Sequence, residues 1–149
     1  EDLTNLLNRY LTEMTNIALD HGATIDKYIG DAIMVFFGDP ESKGVKEDAL
    51  VCVRMAVAMQ KRMRELHAEW LELGADQPFH LRIGINTGYV TVGNFGSEDR
   101  MDYTIIGSSV NLTARLQSYA EIDGILLGHE TYSLVRNEVN VEERGADQG

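Results

Sequence analysis

Two β-rich runs, residues 23–29 and 32–37, are separated by nothing but Gly30-Asp31. Two intervening residues can only close a tight turn, so the pair reads as a β-hairpin, although Gly-Asp is a weaker turn signal than Asn-Gly. The second run, Ala32 to Phe37, is apolar throughout, the pattern expected of a strand buried on both faces. A hairpin with so apolar a member has to be covered, and the flanking segments offer the cover. Before it, Leu3, Leu6, Leu7, Tyr10, Leu11, Met14, Ile17 and Ala18 recur at helical steps, and Gly22 stands where such a helix would end. After a polar loop at 38–46, a second helical pattern runs over about 46–73 to Gly74, with Met55, Met59 and Met63 on its apolar face. Methionines at steps of four fill a core more readily than they form a cofactor site.

Downstream, 79–86 and 89–95 read as strands, 96–100 as a charged loop and 101–106 as a short strand. A helix is expected from 107–109, capped by Ser108 or Ser109, to about Tyr119. A strand at 124–127, a short helix at 129–137 and a further strand at 139–143 complete the pattern. Helices interleaved with hairpins give an α+β architecture, a mainly antiparallel sheet covered by helices. At 149 residues, one domain of this kind is expected.

The charge balance narrows the partners. The chain carries 13 Lys and Arg against 24 Asp and Glu, a formal net charge of −11. That disfavours nucleic acid, whose phosphates reward clustered cations, and an anionic membrane surface. No apolar run approaches the length of a membrane span. The single Cys52 excludes an intrachain disulfide and suggests either a reducing compartment or indifference to redox; a cytoplasmic location is expected, with membrane anchoring of a longer parent chain left open. The four histidines have no ligand spacing, so zinc is not expected.

Three segments put polar groups where apolar ones would serve a strand or helix better. In Lys27-Tyr28-Ile29-Gly30-Asp31, an Asp on a tight turn can offer oxygen to Mg²⁺ at a phosphate site, and the same Asp equally suits a turn for its own sake. Asn111 and Arg115, four apart on the expected helix, share a face. They could hold ribose and phosphate during phosphoryl transfer, or be ordinary surface residues. Thr104 lies in a β-run, where a β-branched residue is at home. Its hydroxyl could also join Lys27 in reading a purine edge, Lys donating to a ring nitrogen and Thr accepting from an exocyclic amine.

These segments occur together and in one order. They are joined by Arg82-Ile83-Gly84-Ile85-Asn86-Thr87-Gly88, by Val92-Gly93-Asn94-Phe95-Gly96, and by a run from Arg100-Met101-Asp102-Tyr103-Thr104 through Val110-Asn111 to Arg115. The combination resembles the catalytic domain of the class III adenylyl/guanylyl cyclases, in its bacterial adenylyl branch, over essentially the whole chain.

The resemblance implies a ferredoxin-like nucleotide cyclase fold, active as a head-to-tail homodimer with sites at the interface. The implied reaction is attack of the ribose 3′-OH of ATP on the α-phosphate, giving 3′,5′-cyclic AMP and pyrophosphate with two Mg²⁺ or Mn²⁺ ions per site. By position, Asp31 resembles the second metal-binding aspartate, and Lys27 and Thr104 the adenine-reading pair. Asn111 and Arg115 resemble the transition-state pair, and Arg100 is a candidate contact to the triphosphate. Many relatives carry Asp in place of Thr104. The Lys/Thr pairing resembles the branch that includes bicarbonate-responsive enzymes, whereas guanylyl cyclases tend to carry Glu and Cys there. In the family's arrangement, Asp31 shares a site with Lys27, Thr104, Asn111 and Arg115 of the other copy. The family's first strand, with its other metal aspartate, and its last strands, with a phosphate-contacting Lys, are expected outside residues 1–149. Those residues alone are therefore not expected to complete a two-metal site, and regulatory domains are expected in a longer parent chain.

Overall fold

The computed structural model describes residues 3–74, 79–97 and 100–140. Helix α1 (Leu3–Asp20) ends at Gly22, whose φ of 86° returns the chain toward the first hairpin. That hairpin, β1 (Thr24–Ile29) and β2 (Ala32–Phe36), pairs antiparallel from Thr24↔Phe36 to Ile29↔Ala32. Gly30 takes a φ of 60° in the turn, a conformation that costs glycine least. The register shifts between Ile25 and Lys27, leaving Asp26 as an extra, bulged residue. Helix α2 (Val45–Glu72) crosses behind this unit.

Apolar residues of α1 and α2 meet under the hairpin. Leu6, Tyr10, Met14 and Ala18 pack with Met55, Met59, Met63, Leu66 and Trp70, and Ile25, Ile33 and Val35 close the cluster from above. The three methionines are core, as their spacing predicts. At the rim, Arg62 donates from Nε to Glu13 Oε1 at 3.0 Å and from Nη2 to Glu13 Oε2 at 3.0 Å, a fork-to-fork bridge between the helices. These bonds from Arg62 hold the Glu13 carboxyl down at about 2. The other half of α2 (Ala49, Leu50, Val53, Ala56) packs on Ile85 and Val135.

Strand β3 (Ile83–Ile85) pairs in parallel with β6 (Ile125–Leu127), while β4 (Thr91–Ser97) and β5 (Arg100–Ile106) form a second antiparallel hairpin. Helix α3 (Ser108–Tyr119) lies on β3 and β6, and α4 (His129–Val135) packs on α2. The close seating of α3 explains Gly84: a Cβ there would lie 2.8 Å from the Gln117 Cα. Gln60, buried in α2, donates to the carbonyls of Leu81 at 2.9 Å and Gly124 at 3.1 Å, tying the entries to β3 and β6.

Several local expectations change. Strand β2 is exposed at Ala32, half-buried over 33–35 and buried only at Phe36, because among the described residues it pairs with β1 alone. The segment 79–86 is strand only at Ile83–Ile85, and Phe79 and Leu81 still pack on the core. Of the loop expected at 96–100, Gly96, Ser97 and Arg100 belong to the strands of the second hairpin, with Ser97 opposite Arg100, and 98–99 lie outside the described residues. Gly107, not Ser108 or Ser109, caps α3, without a side-chain bond. The Ser109 carbonyl accepts from the Thr113 hydroxyl at 2.8 Å. Of the strand expected at 139–143, residues 139–140 are not strand and 141–143 lie outside the described residues. The parallel β3–β6 pair is an addition to the antiparallel pattern. No helix among the described residues is long and apolar enough to cross a membrane.

Candidate active site

The two hairpins meet where β1 faces β5, and this contact gathers the first group of candidate residues. The bulge at position 26 breaks the alternation of β1. Asp26 has a fully buried side chain. Its Oδ1 accepts a hydrogen bond from the hydroxyl of Thr104, which is half-buried on β5 opposite Gly93. Its Oδ2 lies 3.4 Å from the ammonium of Lys27, whose side chain is 47% exposed. Lys27 and Thr104 are thus brought to the two oxygens of one carboxylate, each still reachable from outside. Sequence reasoning missed Asp26. The available signal was a carboxylate inside a β-run immediately before the candidate Lys.

Asp31 follows the turn of the first hairpin and is exposed. Its carbonyl accepts from the Tyr10 hydroxyl at 3.4 Å. Burial, with a smaller push from the Asp31 charge, raises the Tyr10 phenol to about 12, so it remains a donor at neutral pH. The Asp31 carboxylate makes no ion pair or hydrogen bond among the described residues. Among the described residues, no group of three or more His, Cys, Asp or Glu gathers to hold a metal. One free, exposed carboxylate fits a hard divalent cation of the Mg²⁺ kind, which commonly takes one or two carboxylates and completes its shell with water and substrate phosphate.

Asn111 and Arg115 lie four apart on α3, and both are exposed. Neither the amide nor the guanidinium is engaged by another side chain among the described residues. The helix that carries them is held from two sides. Its body sits on β3 against Gly84, and its first turn is tied to the β3 exit by Asn86, which donates to the Ser109 carbonyl at 3.4 Å. Thr87 and Thr131 hydroxyls meet at 2.7 Å and fasten the same exit to α4. The segment 82–88 therefore works as a mount for α3. Arg100 opens β5, and its side chain lies outside what is described. The structure brings Lys27 and Thr104 together through the Asp26 carboxylate, while Asp31 and the Asn111/Arg115 pair occupy separate elements.

Comparison with known proteins gives these positions a context. Residues 1–148 match the family model described as the adenylate and guanylate cyclase catalytic domain. An adenylate cyclase of Anabaena cylindrica is 34% identical over 138 residues, covering 91% of this chain and 26% of that protein. The terminal-differentiation-specific adenylate cyclase of Dictyostelium discoideum is 32% identical over 117 residues, covering 78% of this chain and 5% of that protein. The chain thus spans only a small part of these curated relatives. Among solved structures, the adenylyl cyclase CyaB from P. aeruginosa superposes with a TM-score of 0.88 at 56% identity, over 91% of this chain and 69% of that one. The guanylyl cyclase Cya2 superposes with a TM-score of 0.84 at 38% identity, over 96% and 74%. The α+β arrangement of hairpins and covering helices is the nucleotide cyclase fold, and the chain belongs to the adenylate and guanylate cyclase catalytic domain family.

Proposed function

We propose that this domain is an adenylyl cyclase, converting ATP to 3′,5′-cyclic AMP and pyrophosphate at sites shared between two copies of the chain. The observation that carries the choice of ATP is the meeting of Lys27 and Thr104 on Asp26. An ammonium can only donate, and it suits the ring nitrogen acceptor of adenine. A hydroxyl oxygen beside it suits the exocyclic amine. Guanine presents a donor at that ring nitrogen and an acceptor in place of the amine, a reversed edge. The likeness to CyaB at 56% identity supports the same reading, and the likeness to Cya2 makes guanylyl cyclase activity its direct competitor.

Asn111 and Arg115, unengaged by other side chains among the described residues, project from a firmly mounted helix, as groups awaiting a ligand would. In this reading the Asn111 amide orients the ribose. The Arg115 guanidinium sits against the α-phosphate, where negative charge grows as the 3′-oxygen attacks and pyrophosphate leaves. Donors fixed in advance at developing charge act on the transition state more than on the ground state. Asp31 would be a ligand of a divalent cation, which when bound neutralises phosphate charge and lowers the cost of ionising the 3′-OH. Arg100, at the start of β5, would contact the triphosphate. Asp31 of one copy serves with Lys27, Thr104, Asn111 and Arg115 of the other.

The test is product formation by the full-length protein with ATP and Mg²⁺ or Mn²⁺. Cyclic AMP and pyrophosphate should form in equal amounts, and Asp31→Ala should abolish both. Hydrolysis to ADP or AMP without cyclic product would reject the reading.

A further inference from the structure

The carboxylate behind Thr104 is costly to bury. The Asp26 side chain has no exposure, and its Oδ2 accepts no hydrogen bond among the described residues, with only the 3.4 Å approach of the Lys27 ammonium to offset it. A buried acceptor left without a hydrogen bond destabilises the fold, and a threonine or valine at a strand bulge would avoid that. The arrangement calls for a role beyond joining β1 to β5.

We infer that Asp26 is a positioning residue for base selection, fixing which way the Thr104 hydroxyl points its hydrogen. The inference rests on the reading that Lys27 and Thr104 face the base. A hydroxyl has one hydrogen and two lone pairs, and an ionised carboxylate has only lone pairs. Because Thr104 donates to Asp26 Oδ1, its hydrogen is spent inside the protein. Only acceptor capacity remains for an incoming group. Without Asp26, rotation about the C–O bond would let the same hydroxyl donate to the guanine oxygen as readily as it accepts from the adenine amine. Thr104 alone is therefore ambiguous, and Thr104 with Asp26 is an acceptor. The second oxygen of Asp26 lies 3.4 Å from the Lys27 ammonium, which donates whatever its neighbour, so the polarity that Asp26 sets is that of Thr104. This also separates Thr104 from the Asp that many relatives carry in its place. Such an Asp is an acceptor by itself, whereas a Thr needs a neighbour to make it one.

The test compares kcat/KM for ATP and for GTP in the full-length protein with Mn²⁺. Asp26→Asn keeps the shape but can donate to the Thr104 oxygen, releasing the hydroxyl hydrogen. The ATP/GTP ratio should fall about tenfold, the scale of one hydrogen bond, while the thermal midpoint shows the variant folded. Thr104→Ser should keep the ratio, and Thr104→Val should lower it. In the Thr104→Val background, Asp26→Asn should change the ratio no further. An unchanged ratio in Asp26→Asn, or an equal fall with and without the Thr104 hydroxyl, overturns the inference. A folded-state failure of Asp26→Asn leaves the decision to the contrast of Thr104→Ser with Thr104→Val, where equal ratios overturn it. A wild-type protein without ATP preference overturns the adenylyl reading and this inference together. ATP preference with an unresponsive Asp26 overturns this inference alone.

Discussion

The Thr104 hydroxyl donates to the Asp26 carboxylate across 78 positions of sequence, and this bond links the two hairpins at the place where the candidate base-reading residues meet. Its partners lie on β5 and on a bulge of β1. The geometry of one site residue therefore depends on a local irregularity in a different strand.

Substitution at Lys27 should separate base recognition from turnover. Lys27→Ala removes the only cationic donor at the Asp26 carboxylate among the described residues and takes away its ion pair. Expected is a rise in KM for ATP of at least about tenfold, with a smaller change for GTP, measured by initial rates of cyclic product. Equal losses with both nucleotides would place Lys27 outside the base contact.

Asn111→Ala and Arg115→Ala should act on kcat. Both residues are exposed on α3 and unengaged among the described residues, so folding should be untouched and the thermal midpoint should move little. Loss of a fixed donor to developing charge costs about 10²–10³ in kcat, with KM for ATP nearly unchanged. A KM increase that matches the loss in kcat would make them ground-state contacts instead.

The shared site makes a complementation prediction. At ATP well below KM, Asp31→Ala chains, inactive alone, and Lys27→Ala chains, impaired alone, should give more activity when mixed than the two give separately, because one of the two sites in the mixed dimer keeps both residues. Mixed dimers without that gain would place Asp31 and Lys27 in the same site within one chain.

The Glu13–Arg62 bridge gives stability a pH dependence of known sign. The folded-state carboxyl is held at about 2, below its ordinary 4.5, chiefly by bonds from Arg62. A group whose folded value is depressed stabilises fully above the unfolded value and loses that contribution as pH falls through the folded one. Glu13 and Arg62 side chains are each 26% exposed, and solvent screening limits the contribution to about 1 kcal/mol. Glu13→Gln should therefore be less stable than wild type in urea at pH 7, with the gap closing between about 4.5 and 2. A gap independent of pH would remove the charge from the account.

Much of the frame was legible because its signals are local. The two-residue Gly30-Asp31 turn, the helical spacing of Leu6, Tyr10 and Met14, and the methionine stripe of α2 each state their own structure. Asn111 and Arg115 share a helix face, as their spacing implies. Less legible was whatever depends on a distant partner. The parallel pairing of β3 with β6 joins segments some forty residues apart, and three-residue strands carry too little alternation to announce it. The cap of α3 misread because Gly107 occupies the boundary while Ser109 is drawn into bonds with Asn86 and Thr113. Asp26 escaped notice for the same reason: its meaning lies in Thr104, and only the bulge turns it there.

The central claim is that Lys27 and Thr104 read an adenine edge, and a competition assay tests it most directly. The full-length protein is given ATP and GTP together at equal concentration with Mn²⁺, and the two cyclic products are separated and quantified. Their ratio reports kcat/KM for one substrate over the other. The account predicts cyclic AMP in large excess over cyclic GMP. Comparable amounts of the two products, or an excess of cyclic GMP, would contradict it.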